Sequence, residues 1–147
     1  MSTTPPITVS TDPDQLDVDR ILHFLRDLSY WGKTETRERV ERALRNSCAF
    51  GAFSGGLQVG YARVITDYVT FGYISDVFVD PDYRGHGVGK ALIAAIHAHP
   101  ELQGFRGWLL KTEDAHGLYE QFGWAVYPDP ANLMGFTPST QTLNTPQ

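Results

Sequence analysis

Three glycines at alternate positions, Gly85, Gly87 and Gly89, stand between an apolar strand pattern and an apolar helix pattern. Before them, Asp76-Val77-Phe78-Val79 closes a run of β-branched and aromatic residues, and Asp80-Pro81 ends it. After them, residues 87–98 carry helical apolar spacing and stop at Pro100. Glycines in such a turn let successive backbone N–H groups face one point, because no Cβ blocks the approach. The start of the helix adds partial positive charge at the same place. Arg84 and Lys90 add full charges at the rim. The segment Arg84-Gly85-His86-Gly87-Val88-Gly89-Lys90 therefore reads as a pyrophosphate cradle at a strand–turn–helix junction.

The other periods alternate around this junction. Residues 7–10 form a short strand pattern, and Asp12-Pro13-Asp14 leads into a helix with Leu16, Ile21, Leu22, Leu25 and Leu28 on one side. Gly32 breaks that helix, and Thr34 can cap a second one over about residues 35–45. Strand patterns at 48–53 and 58–65 flank Ser54-Gly55-Gly56-Leu57 as a hairpin, and a third run covers 69–79. Residues 107–111 read as a strand and 115–122 as a short helix ended by Gly123. Residues 124–127 and 134–136 read as a closing hairpin. This mixture predicts one α/β (α+β) domain over 7–136, a sheet covered by helices. Residues 1–6 and 137–147, rich in Thr, Ser, Pro and Gln, are expected to be disordered.

Charge and composition remove several function classes. The net charge is −5, and the densest basic stretch, Arg37, Arg39, Arg42 and Arg45, is interleaved with Glu35, Glu38 and Glu41. That is a solvated helix face, not the basic stripe a nucleic acid needs. No run approaches the ~20 apolar residues of a membrane span. The first ten residues lack the regions of a signal peptide, so the expected location is cytoplasmic. The single cysteine, Cys48, lies in an apolar run with no activating group nearby, which predicts an inert buried thiol. No metal site is expected, since His97 and His99 do not share a helical face and no carboxylate completes a set.

The glycine turn can be compared with three phosphate loops. A Walker A loop would place glycine where Arg84 stands and a hydroxyl where Ala91 follows Lys90. A dinucleotide fingerprint begun at Gly85 would place its last glycine on Lys90. The third pattern, Arg/Gln-x-x-Gly-x-Gly/Ala, is satisfied by Arg84, Gly87 and Gly89. With its strand, its Asp80-Pro81 turn and its apolar helix, the segment resembles the acetyl-CoA-binding motif of the GNAT acyltransferase superfamily. Leu118-Tyr119-Glu120-Gln121-Phe122-Gly123-Trp124 is similar to that family's closing motif, with Tyr119 about 30 residues beyond the turn. The likeness runs from about residue 15 to 136 and is dense in 74–93 and 108–124. Where the family often has Asn seven residues before the Tyr, this chain has Thr112, whose hydroxyl can make a similar contact.

The resemblance implies a twisted, mixed, mostly antiparallel sheet of six to seven strands flanked by about four helices. It implies an N-acetyltransferase that moves the acetyl group of acetyl-CoA to a primary amine of a small molecule. Peptide or protein amines, or a non-catalytic CoA-binding sensor, are the alternatives, and a homodimer is a further analogy. Acetyl-CoA would lie against Arg84, Gly85, His86, Gly87, Val88, Gly89, Lys90 and Thr112, with its pantetheine arm on the free backbone of Val77, Phe78 and Val79. Tyr119 is then the candidate general acid, since a phenol with pKa near 10 is protonated at neutral pH. Asp76 is the candidate base, on a strand face shared with residues 78 and 80; His86 and His116 are alternatives. Tyr30 and Trp31, in the loop after the first helix, with Asp67 and Tyr73 near the sheet, are the candidate acceptor-binding residues, because aromatics and acids suit a cationic or aromatic amine.

Overall fold

A computed structural model of the chain describes residues 5–138. Five strands form one sheet in the order β1-β2-β3-β4-β5: β1 Ile7–Ser10, β2 Cys48–Ser54, β3 Leu57–Thr66, β4 Phe71–Val79 and β5 Gly107–Leu110. The first three pairings are antiparallel, and β4 pairs β5 in parallel. The hairpin between β2 and β3 turns at Gly55-Gly56, both at positive φ, as the sequence predicts. The helices are α1 Val18–His23, which continues through one wide π turn at Phe24–Leu28, then α2 Arg37–Arg45, α3 Val88–Ala98 and α4 His116–Glu120.

Among the described residues the expected six to seven strands are corrected to five. Residues 124–127 and 133–138 have no sheet partner among the described residues, so the closing hairpin does not form. The second helix is capped by Thr36, whose hydroxyl accepts from Arg39 N, rather than by Thr34. The ends expected to be disordered fall largely on residues 1–4 and 139–147, outside the described residues.

The sheet buries a core on each face. Cys48, Phe50 and Ala52 alternate to one side, where they meet Leu92, Ile93 and Ile96 of α3 and Tyr119 of α4. Ala49, Tyr61 and Phe78 point to the other, against Ile21, Phe24, Leu25 and Val40. Close approach of α3 depends on Gly60, where a Cβ would stand 2.7 Å from Val88 Cγ1. Burial pushes the Cys48 thiol up, which keeps it in the protonated, unreactive form.

Two features shape the region before the glycine turn. Tyr61 pairs Phe78 and Arg63 pairs Ser75, so Asp76 and Val77 together oppose Ala62 in a β-bulge. Asp76 takes φ +58 there, a conformation that typically costs a non-glycine residue about 1–3 kcal/mol. The pairing of β4 with β5 ends at Ile74 and Leu110, and β4 runs on alone on that side through Val79. A wedge therefore opens in the sheet between residues 75–79 and the chain after β5.

Candidate active site

The wedge is the mouth of a cavity of about 480 Å³. Its walls include Tyr73 and Ser75–Val79 from β4, Lys111–Ala115 from the loop after β5, and Leu118 and Tyr119 from α4. Leu28–Trp31 close it on the side of α1, and Arg84 and Gly89 close it at the glycine turn. Of the residues read from the sequence, Tyr30, Trp31, Tyr73, Asp76, Val77, Phe78, Val79, Arg84, Gly89, Thr112 and Tyr119 meet in this one cavity.

The glycine turn has the form a pyrophosphate needs. Gly87 is the N-cap of α3 at φ 79, ψ 16, and no side chain caps the helix. The first intrahelical bond from this end is Ala91 N to Gly87 O, so the N–H groups of Val88, Gly89 and Lys90 lack helical partners. A Cβ at Gly85 or Gly87 would meet nothing within 4 Å, which leaves open space above those N–H groups. Val88 contributes backbone alone, because its side chain is in the core. His86 and Lys90 are exposed; His86 lies edge-on to Tyr83, with ring centroids 6.3 Å apart.

A clamp that sequence reasoning missed holds the approach to this turn. Arg20 of α1 donates to Gln58 O at 3.0 and 3.1 Å and to Asp80 Oδ2 at 2.6 Å. Asp80 Oδ1 in turn accepts from Asp82 N and caps the 3-10 turn Pro81–Tyr83. Gln58, fully buried, accepts from Asp17 N at 2.8 Å and donates to Gly60 O at 3.1 Å.

Tyr119 is buried, with 6% of its surface exposed, and burial, with the nearby charge of Asp114, raises its phenol to about 12. It is protonated at any physiological pH. Thr112 Oγ1 accepts from Ala115 N at 3.0 Å and so shapes the entry to α4. Asp76 Oδ2 accepts from Arg63 Nε at 2.7 Å, a contact between two side chains each 18% exposed. Asp76 and Phe78 both line the cavity: Phe78 packs beside Phe24, and Asp76 bonds Arg63, which pairs Ala49 on that same face of the sheet, while Val77 packs on the other.

At the end of the cavity beside α1, buried Ser29 fixes the aromatic loop. Its hydroxyl donates to Leu25 O at 2.6 Å and accepts from Gly32 N at 3.1 Å. Tyr30 and Trp31 stand edge to face, with centroids 5.1 Å apart. The Trp31 indole N–H is the one buried side-chain polar group among the described residues without a partner. Glu113 and Asp114 face Tyr30 across the opening, and burial, then Glu113, raise the Tyr30 phenol. Burial, then the charge of Asp76, raise that of Tyr73. These two carboxylates were not read as acceptor residues; only the unusual Thr112–Gly117 sequence marks them.

Asp67 does not belong to the site. Its carboxylate accepts from Val69 N, Thr70 N and the Thr70 hydroxyl at 2.7–2.9 Å and closes the turn between β3 and β4. Those bonds hold it well below the usual carboxylate range. Its acid is used by the turn, and it lies outside the cavity lining. Among the described residues no group of three His, Cys, Asp or Glu could hold a metal, and no helix is long and apolar enough to cross a membrane.

Comparison with known proteins agrees with this geometry. The sequence profile of the Acetyltransferase (GNAT) family matches residues 18–124. A crystal structure from Xanthomonas campestris pv. campestris, assigned to the same family, superposes with a TM-score of 0.86 at 46% identity, covering 91% of this chain and 94% of that one. The Gibberella zeae protein FG08082, which carries an acetyltransferase name, is 32% identical over 86% of this chain and 84% of its own length. Serotonin N-acetyltransferase 2 of Oryza sativa is 31% identical over 72% of this chain and 56% of its own length.

Proposed function

The chain belongs to the Acetyltransferase (GNAT) family, an acyltransferase family whose co-substrate is acetyl-CoA, and from that premise we propose that it acetylates the primary amine of a small molecule bearing a cationic or aromatic group. One observation carries this reading. The two ends of a single cavity have opposite character: Arg84 and the uncapped start of α3 at one, Tyr30, Trp31, Tyr73, Asp76, Glu113 and Asp114 at the other. The rice relative, whose name specifies an arylalkylamine, supports the same class.

In this reading the free N–H groups of Val88, Gly89 and Lys90, with Arg84, hold the pyrophosphate of acetyl-CoA, which supplies the acetyl thioester. The unpaired edge of Val77–Val79 takes the pantetheine arm by strand-like hydrogen bonds, and Thr112 flanks it. A backbone N–H near Val77 or Phe78 meets the carbonyl oxygen as it becomes negative. Losing such a donor typically costs about 2.7–4 kcal/mol, which makes strand geometry the largest single contribution. Asp76 Oδ1 carries no hydrogen bond from the described residues and takes the amine's proton, directly or through water, while Arg63 fixes the carboxylate by Oδ2. Full proton transfer from a phenol at about 12 to a thiolate whose thiol lies near 8.5 is uphill by about 3.5 pKa units. Tyr119 therefore acts as a hydrogen-bond donor that stabilises the departing thiolate, with water completing the protonation.

The test is thiol release from acetyl-CoA with a panel of arylalkylamines, diamines, amino acids and lysine-bearing peptides. The highest kcat/KM is expected for an amine with a second cation or an aromatic ring. Release no faster than hydrolysis with every amine would reduce the chain to a CoA-binding module, and a preference for peptides would replace the substrate class.

A further inference from the structure

No protein group among the described residues accepts from the buried indole N–H of Trp31. Shutting a donor away from water without a hydrogen bond costs stability, so nearly all buried donors in folded proteins are paired. Slack in the loop does not explain this one. Trp31 is bracketed by two fixed neighbours. The Ser29 hydroxyl is bonded on both sides, and Gly32 packs so closely on α1 that a Cβ would stand 2.7 Å from Leu25 Cβ. The indole itself packs against the core beneath α1, with its ring 6.4 Å from that of Phe78.

The same side chain lines the larger cavity, so a partner for its N–H has to come from what that cavity takes up. An indole N–H donates and never accepts, so the partner is an acceptor atom. Charge narrows the choice. An anion would be brought in against three carboxylates, Asp76, Glu113 and Asp114, and of these only Asp76 has an ion-pair partner among the described residues. An ammonium has no lone pair to offer. A neutral oxygen meets both conditions: a hydroxyl, an ether or a carbonyl. Tyr30 stands edge to face with Trp31 and is 48% exposed, which makes it the neighbour free to move aside as that oxygen arrives.

We propose that Trp31 is a specificity-determining residue, whose N–H receives a neutral oxygen carried by the acceptor amine apart from its reacting nitrogen. This subsite rests on the acetyl transfer proposed above and narrows its substrate class to oxygen-bearing amines. An amine without the oxygen leaves the N–H unpaired in the complex, so the preference arises from a cost inside the protein rather than from a clash.

Pairs of amines that differ by one hydroxyl test it. In thiol release, tyramine and serotonin should show KM values roughly 2- to 12-fold below those of phenethylamine and tryptamine, with kcat within about twofold. Trp31→Phe keeps a ring against Phe78 and removes the unpaired donor, so it should stay folded by thermal melting and bring both KM ratios to about one. A second readout does not use activity. The chain has three tryptophans, Trp31, Trp108 and Trp124, so three indole N–H resonances are expected, and Trp31→Phe identifies the first. With CoA present, tyramine should move the Trp31 resonance further downfield than phenethylamine does. Equal KM values within each pair, ratios that survive Trp31→Phe, or a resonance that both amines leave in the same place would each overturn the subsite. If no amine is acetylated but tyramine still moves the resonance, the proposed reaction falls and the oxygen subsite stands.

Discussion

Substituting alanine separately at Gly87 and Gly89 should produce opposite effects. Gly87 sits at φ 79 with nothing within 4 Å of a built Cβ, so Gly87→Ala meets no clash and only backbone strain. The left-handed region costs an L-residue about 1–2 kcal/mol, which for a domain of this size lowers Tm by roughly 2–8 °C. If the residue relieves that strain by turning, the N–H groups of α3 turn with it. Loss of one charge-assisted hydrogen bond is typically worth about 1.5–3 kcal/mol, so CoA affinity should fall roughly 10- to 150-fold. At Gly89 the φ is ordinary, and a Cβ would lie 3.4 Å from Leu118 Cδ2 and 3.8 Å from Val79 Cγ2, which is van der Waals contact. Gly89→Ala should therefore gain up to about 1 kcal/mol of helix propensity, raise Tm by a few degrees and keep CoA affinity within a few-fold. Thermal melting of the ligand-free chains and calorimetric titration of CoA measure both quantities. The reasoning fails if Gly87→Ala melts and binds like the parent, or if Gly89→Ala is the variant that loses CoA.

Three other changes test separate parts of the site. Tyr119→Phe removes one hydrogen bond to the departing thiolate, typically worth about 1.5–3 kcal/mol, so it should lower kcat roughly 10- to 150-fold and leave the CoA dissociation constant within a few-fold; with the phenol raised to about 12, the parent should show no basic limb from this residue below about pH 11. Arg20→Met keeps a stem over Phe24 but strands buried Asp80, so chemical denaturation should show a loss of about 1.5–3 kcal/mol and CoA should bind more weakly. His97 Nε2 accepts from Trp124 Nε1 at 2.9 Å, and desolvation holds its pKa below the ordinary value. The unfolded imidazole then binds protons more readily, so stability should be flat above about pH 6.5 and fall as pH drops through and below that value. Melting curves at several pH values should show this slope, and His97→Gln should flatten it.

The strands, their hairpin and the glycine turn were legible because each has a local cause. β-branched runs, the Gly55-Gly56 turn and the alternate glycines act within a few residues of themselves. Tyr30, Trp31, Tyr73 and Tyr119 were placed in one cavity by the order of those elements. The misses have causes that are not local. Pairing of two residues against one at Asp76–Val77 leaves no mark on the alternation of β4 and depends on its partner strand. The bond between Arg20 and Asp80 joins residues 60 apart. Residues 124–127 and 133–136 have strand-like composition but no partner within the described chain, and composition does not supply one. Asp67 is the exception, because Asp67-Tyr68-Val69-Thr70 is a sequence in which an acid bonds its own turn, and that local signal was available.

The Arg20 clamp has a thermodynamic consequence. One continuous element, α1 with its π turn, ends in the loop that presents Tyr30 and Trp31, while its first turn is tied to Asp80 at the threshold of the glycine turn. In the proposed reaction, a movement of the aromatic loop on taking up the amine would be passed to the groups proposed to hold the pyrophosphate, and the reverse would hold equally. The factor by which one ligand alters the affinity of the other must be the same in both directions. Arg20→Met should therefore bring that factor towards one for both ligands alike, although the arginine touches neither of them.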